Sequence, residues 1–108
     1  MKKFNLKDFT RGWLVGDFEP SIINTDQFEF GIKEYQTGDQ EDEHYHAIAR
    51  ELSVVISGHF EMNGQELGPG DIVLLEPGEG AKFRCLESGG NAIIKMPSVK
   101  NDKFVINN

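Results

Sequence analysis

The chain has 108 residues, of which 18 are acidic and 11 are basic, so its formal net charge is −7 at pH 7. This length fits one domain with a modest core, since domains commonly run to about 100–150 residues. The acidic balance argues against a nucleic-acid partner, and the lack of a long apolar run argues against a membrane span or an export signal. With Cys85 as the lone cysteine, a soluble cytoplasmic protein without an internal disulfide is expected.

Short apolar runs separated by turn residues predict a fold made of strands. Alternation at Phe28–Lys33 predicts the first core strand, and similar runs recur at Leu52–Ile56, Ile72–Leu75 and Ala92–Met96. Glycine, asparagine and proline clusters between them are typical of tight turns. The pattern indicates an all-β sandwich or barrel. The expected core residues are Phe28, Phe30, Ile32, Val55, Ile72, Leu74, Phe83 and Ile94.

A single domain, residues 1–108, is expected to have three parts. Residues 1–24 form an amino-terminal strand arm, residues about 25–97 form the core, and residues 98–108 form a short surface tail after Pro97. The acidic stretch Asp39–Glu43 is interpreted as a solvated loop, with attraction of cations to the neighbouring histidines as the alternative.

Three side chains with metal-binding chemistry are predicted to converge. His44 and His46 are two residues apart at the start of a strand, so both leave the same face, about 7 Å apart along the chain. Glu51 follows a short connection and heads the next strand, where an antiparallel return would bring it beside the histidines. Imidazole nitrogens and a carboxylate oxygen suit a divalent metal ion.

The spacing around these residues resembles the first signature motif of the cupin family. Gly38 is followed after five residues by His44, then by His46, after four more residues by Glu51, and after six more by Gly58. The match to the second motif is partial. Gly70 and Gly78 are in register, but Glu76, Ala81 and Cys85 stand where that motif has a proline, a histidine and an asparagine.

This resemblance implies a single-domain cupin jelly-roll β-barrel with a metal ion inside one end, and frequent homodimers. Family members with all four ligands use three histidines and a carboxylate, so Ala81 leaves His44, His46 and Glu51 as the metal ligands here. Two histidines and a carboxylate serve non-haem Fe(II) oxygenases and also catalytic zinc sites. The metal is therefore left open among Fe, Zn, Mn and Ni.

The alternation of residues 81–85 determines which side chains lie beside Ala81, where the motif has its third histidine. Ala81, Phe83 and Cys85 alternate with Lys82 and Arg84, which predicts an apolar row facing inward and two cations facing out. A register slip of one residue would instead point Lys82 at the carboxylate and expose Phe83.

Several other residues allow two interpretations. Trp13 either lines a ligand mouth or anchors the amino-terminal strand, and Cys85 is either a buried small hydrophobe or a reactive group. His59 is interpreted as a structural histidine, and Glu76 and Glu79 as solvated turn residues, with a replacement ligand or general base as the alternative.

Three functions remain open on the sequence. The leading one is a metal-dependent enzyme acting on a small polar molecule by oxygenase or isomerase-type chemistry. The second is a non-catalytic module that binds or senses a small ligand, which the degraded second motif favours. The third is a metal-free isomerase that uses His44 and Tyr45 as acid and base, although alternation points Tyr45 to the opposite face.

Overall fold

Almost all regular structure in the computed structural model, which describes residues 1–106, is β-strand. Two 3-10 turns, Leu6–Asp8 and Thr10–Gly12, precede the strands. The strands are β1 (Trp13–Gly16), β2 (Ile23–Asn24), β3 (Glu29–Tyr35), β4 (Gln40–His46), β5 (Arg50–Met62), β6 (Gln65–Leu67), β7 (Ile72–Leu75), β8 (Ala81–Met96) and β9 (Lys103–Val105). The predicted all-β class is confirmed.

The long strands β5 and β8 organise the sheet. They pair antiparallel along most of their length, from Arg50 opposite Met96 to Met62 opposite Phe83. The second half of β8 also pairs with β3, and its first half pairs with β4. Strand β5 also pairs with β7 near its start and with β6 at its end. Among residues 1–106, the sheet does not close into a complete hydrogen-bonded barrel.

The register separates an outer apolar row from an inner row that carries charged side chains. Phe30, Ile94, Leu52 and Leu74 lie side by side across β3, β8, β5 and β7. The neighbouring row carries Glu29, Lys95 and Glu51 instead. Side chains of this second kind line the internal cavity, so the apolar row faces outward.

This orientation corrects part of the expected core. Val55 and Phe83 are buried as predicted, at 2% and 4% exposure. Ile72 and Leu74 are 63% and 49% exposed, because alternation places them on the outer face of β7. The other predicted core residues are only half-buried: Phe28, Phe30, Ile32 and Ile94.

The buried core fills one end of the fold. Val55, Phe60, Phe83 and Cys85 form its centre. The rings of Phe60 and Phe83 stack with their centroids 5.2 Å apart, and Tyr35 packs on Phe83 at 4.8 Å. These aromatic contacts form the apolar floor below the cavity, since Phe83 and Tyr35 also line it.

The segment expected to be a surface tail is part of the sheet. Within its described part, residues 98–106, β9 pairs antiparallel with β4 and sets His46 opposite Lys103. Asp102, just before β9, is 6% exposed. The amino-terminal arm also joins the sheet, because β1 pairs with β2 and β3.

Within residues 1–106 no helix has the length and apolar character needed to cross a membrane.

Candidate metal centre

The structure brings the three predicted ligands to one cavity of about 250 Å³. His44 and His46 alternate on β4 and are each 7% exposed. The side chain of Glu51, from the start of β5, is 12% exposed. The antiparallel return expected from sequence does not pair β4 directly with β5; both strands instead flank β8.

The backbone fixes which nitrogen of each histidine faces the cavity. His44 Nδ1 lies 2.9 Å from the Asp42 carbonyl oxygen, and His46 Nδ1 lies 2.9 Å from that of Asp102. A carbonyl only accepts a hydrogen bond, so each Nδ1 carries the proton and donates it. Each Nε2 is left with a free lone pair, as in metal-binding histidines whose other nitrogen donates to a carbonyl.

His46 carries the clearest sign of a missing partner. Its Nε2 is buried and has no hydrogen-bond partner within the described residues. Burial, followed by the nearby charge of Lys95, lowers the pKa of His46, so the imidazole is neutral at pH 7. A buried lone pair without a donor or a cation is costly.

The distance around this lone pair is longer than one shared ion requires. Two ligand atoms about 2.1 Å from one ion lie roughly 3.0–3.4 Å apart at octahedral or tetrahedral angles. Glu51 Oε1, at 4.0 Å from His46 Nε2, would therefore move closer to share an ion with it. The rings of His44 and His46 are 5.5 Å apart and nearly perpendicular. Within residues 1–106, however, no three His, Cys, Asp or Glu side chains are already arranged to hold an ion together.

Ala81 lies at the inward-facing position that the alternation of β8 predicted. Ala81 pairs directly with His44, is 3% exposed and lines the cavity. Ala81, Phe83 and Cys85 are buried while Lys82 and Arg84 are exposed, so the slipped register is wrong.

Asp102 holds the connection between the histidines and Glu51. Its carboxylate accepts hydrogen bonds from the backbone N–H groups of Ala47, Ile48 and Ala49, at 2.8–3.2 Å. Its backbone carbonyl also accepts the His46 Nδ1 proton. No local pattern indicates this role, because Asp102 lies more than 50 residues from the turn that it supports.

Polar residues that sequence reasoning missed line the rest of the cavity. They include Arg11, Lys33, Tyr35, Glu41, Asn91 and Lys95. For two of them the signal lies in β3, where Gly31, Lys33 and Tyr35 alternate with the apolar residues. Alternation alone favours the apolar set for the interior, which leaves this polar set facing solvent.

Tyr35 and Glu41 lie together inside the cavity. Burial, and then the charges of Glu41 and Glu51, raise the pKa of the Tyr35 hydroxyl, which therefore stays protonated at neutral pH. Glu41 belongs to the stretch Asp39–Glu43 that was interpreted as a solvated loop. Most of that stretch instead forms the start of β4, and Glu41 points inward.

The remaining candidates lie outside this cavity. Glu76 pairs with Arg50 at 3.0 Å, and a Glu79 carboxylate oxygen accepts the Glu76 backbone N–H. Cys85 is buried in the core, and burial raises the pKa of its thiol. Tyr45 stacks on Phe104 at 5.3 Å, on the face away from the histidines.

His59 and Trp13 differ in their relation to the cavity. His59 stays outside the cavity, with its ring against Gly68. Trp13 combines both of its interpretations. It pairs with Gly31 of β3, and it also lines the cavity.

No protein-family model matches the chain. No curated protein matches it either. Solved structures do. One is an uncharacterized conserved protein with a double-stranded β-helix domain from Klebsiella pneumoniae, at 18% identity over 100% of this chain and 99% of that chain, with a TM-score of 0.71.

Two further structures are similar over a smaller part of this chain. An RmlC-like cupin from Shewanella frigidimarina is 21% identical over 72% of each chain, with a TM-score of 0.63. Oxalate decarboxylase from Bacillus subtilis is 16% identical over 75% of this chain and 24% of that chain, with a TM-score of 0.67. These likenesses show that the chain has the cupin fold, as its first motif predicted.

Proposed function

We propose that this protein is a metal-dependent enzyme that binds a divalent ion through His44, His46 and Glu51 and acts on a small polar molecule. The observation that carries the proposal is the buried, unpartnered Nε2 of His46, 4.0 Å from the Glu51 carboxylate. The similarity in fold adds support. The similar structures include oxalate decarboxylase from Bacillus subtilis, which has Mn(II) centres.

The chain supplies the groups that such an enzyme needs around the ion. A bound ion would polarise a carbonyl or activate a water molecule. Tyr35, kept protonated, would donate a hydrogen bond to the substrate, and the Glu41 carboxylate near it would accept a hydrogen bond or a proton from the substrate. The buried apolar side chains of Phe83 and Ile93, which also line the cavity, would limit the access of water to the reacting groups.

A non-catalytic binding module is the second candidate. It is favoured by the incomplete convergence of the ligands and by Ala81 in place of a fourth ligand. The third candidate, a metal-free isomerase that uses Tyr45, loses support because Tyr45 packs on Phe104 outside the cavity.

Metal analysis of untagged protein purified without a chelator tests the proposal. We expect a stoichiometric amount of iron, zinc, manganese or nickel in the wild type. The double variant His44→Ala/His46→Ala should lose it while keeping its circular dichroism spectrum. His59→Ala is the matched control and should retain the metal, since His59 lies outside the cavity. Metal-free wild-type protein that gains none on incubation would remove the enzyme proposal in this form.

A further inference from the structure

Two lysine side chains lie near a single aromatic ring in the cavity lining, which also includes a third cation, Arg11. Lys33 Nζ lies 4.4 Å from the ring centroid of Trp13, and Lys95 Nζ lies 4.9 Å from the same centroid. Arg11 lines the cavity beside them. Gly31 makes this arrangement possible, because a Cβ there would stand 2.8 Å from a carbon of the Trp13 ring.

These cations have no carboxylate bound to them. The ion pairs within 4.0 Å among residues 1–106 are His46 with Glu51, Arg50 with Glu76, and Lys100 with Asp17. None of these pairs involves Arg11, Lys33 or Lys95. Lys95 lies between Glu29 and Glu51 in the register of the sheet, whereas the cross-strand neighbour of Lys33 is the uncharged Asn91.

The electrostatic surroundings of Lys33 are therefore mainly positive. Burial, followed by the charges of Arg11 and Lys95, lowers the pKa of Lys33 to about 8, and Glu41 opposes this shift only in part. Half-burying an ammonium group beside other cations costs folding free energy, because neither water nor a carboxylate compensates it fully. Trp13 offsets some of that cost through cation–π attraction.

The cavity thus has the opposite charge to the protein as a whole. Its lining includes the cations Arg11, Lys33, Lys95 and Lys103 but only the carboxylates Glu41 and Glu51, whereas the chain has a net charge of −7. A locally positive cavity in an acidic protein concentrates small anions inside it. A divalent ion bound at the histidines would make this local charge more positive still.

We propose that Arg11, Lys33 and Lys95 bind the oxyanion group, carboxylate or phosphate, of the small molecule on which this protein acts. The planar guanidinium of Arg11 suits paired hydrogen bonds to such a group, and the lysines add point charges. A cavity of about 250 Å³ suits a small organic acid or phosphate ester rather than a polymer. The inference rests on the proposed function, because the anion would occupy the same cavity as the metal ion.

Calorimetric titration with malonate and with inorganic phosphate tests this site. Both probes are titrated into metal-free and Co(II)-loaded wild-type protein at low ionic strength, with uncharged malonamide as the control ligand. We expect binding of at least one of the two anions in both forms of the protein, and no binding of malonamide. Tighter binding of malonate would identify a carboxylate ligand, and tighter binding of phosphate a phosphate ester.

Charge-removing variants separate the anion site from the metal site. Lys33→Gln and Arg11→Gln should each weaken anion binding about tenfold or more, in the metal-free protein as well as in the loaded one. Lys82→Gln removes the same charge from an exposed position and should change nothing. Unchanged anion affinity in both cavity variants, with normal Co(II) binding, would overturn the anion site and leave the proposed function standing. Anion binding that depends on Lys33 in a protein that binds no Co(II) would support the anion site and remove the metal proposal.

Discussion

The two faces of the sheet formed by β3, β8, β5 and β7 differ in their side chains. The outer face carries an apolar row, with Leu74 beside Leu52. The inner face carries the charged residues Lys33, Glu51 and Lys95, which line the cavity together with the apolar Ile93. In most soluble domains charged side chains face water instead. This placement favours a ligand on the inner face and a cover over the outer one.

The largest expected effect concerns the outer face, which we propose is covered by a second copy of the chain in a homodimer. Ile72, which lies on the same outer face and is 63% exposed, should then be buried between subunits. Ile72→Glu should convert the dimer into a monomer, because the interface would have to bury an unpaired charge. Sedimentation at micromolar concentration measures this change.

The matched control for the dimer is Ile48→Glu. Ile48 is 57% exposed but lies in the turn before β5, away from the apolar row. The Ile48→Glu variant should therefore remain a dimer. A wild-type protein that sediments with the mass of one chain would contradict the interpretation of the outer face.

The next largest effect concerns the support beneath the inner face. Asp102→Ala removes the acceptor for three backbone N–H groups of the turn before Glu51, and should lower the free energy of unfolding by about 3 kcal/mol. Urea denaturation measures the loss. Asp71→Ala, which removes an exposed acceptor for a single N–H group, should cost less than 1 kcal/mol or so. Equal losses in the two variants would show that Asp102 has no special supporting role.

A smaller effect, on metal affinity, is expected from adding a histidine at position 81. Ala81→His places an imidazole opposite His44 on the inner face and should tighten Co(II) binding about tenfold, or ~1.4 kcal/mol. It should also occupy an open position on the ion and so slow catalysis that needs substrate bound there. Lys82→His is the control, since Lys82 faces outward. Tighter binding in the control alone would reverse the assignment of inner and outer faces on β8.

The smallest effect is on proton binding at the inner face. The Lys33 ammonium should titrate with a pKa of about 8 in the folded protein, against 10.5 without its surroundings. Because the unfolded chain then binds more protons, Lys33 should make stability rise between about pH 8 and pH 10.5. Carbon-13 NMR of the lysine side chains measures the pKa. Arg11→Gln should raise it, as one neighbouring cation is removed, and an ordinary lysine pKa in the wild type would contradict the clustering.

The fold and the placement of His44, His46 and Glu51 at one cavity could be predicted because local signals encode them. Short alternating strands, the turn glycines and the spacing from Gly38 to Gly58 indicated the cupin fold, and the alternation of His44 with His46 placed both on one face. The assignment of faces in β3 and β7 could not be predicted in the same way. Alternation shows that two faces differ, but which of them faces the interior depends on tertiary packing.

The remainder of the site depends on contacts between residues far apart in the chain. Asp102 reaches His46 and its turn across more than 50 residues, and Trp13 meets Lys95 from the opposite end of the chain. Single-residue patterns carry no information about such pairings. Strand pairing between distant parts of the chain brings such residues to the cavity: β1 and β8 each pair with β3, and β9 pairs with β4.

Co(II) titration monitored by visible absorption tests most directly whether the polar inner face is a metal site. The wild type should bind one ion per chain and develop bands typical of nitrogen and oxygen ligands. His46→Ala and Glu51→Gln should each weaken binding about tenfold or more, because the first removes the unpartnered Nε2 and the second removes the negative charge of the carboxylate beside it. His59→Ala should bind as the wild type does. Equal Co(II) affinity in the wild type, His46→Ala and Glu51→Gln would contradict a metal centre at these residues.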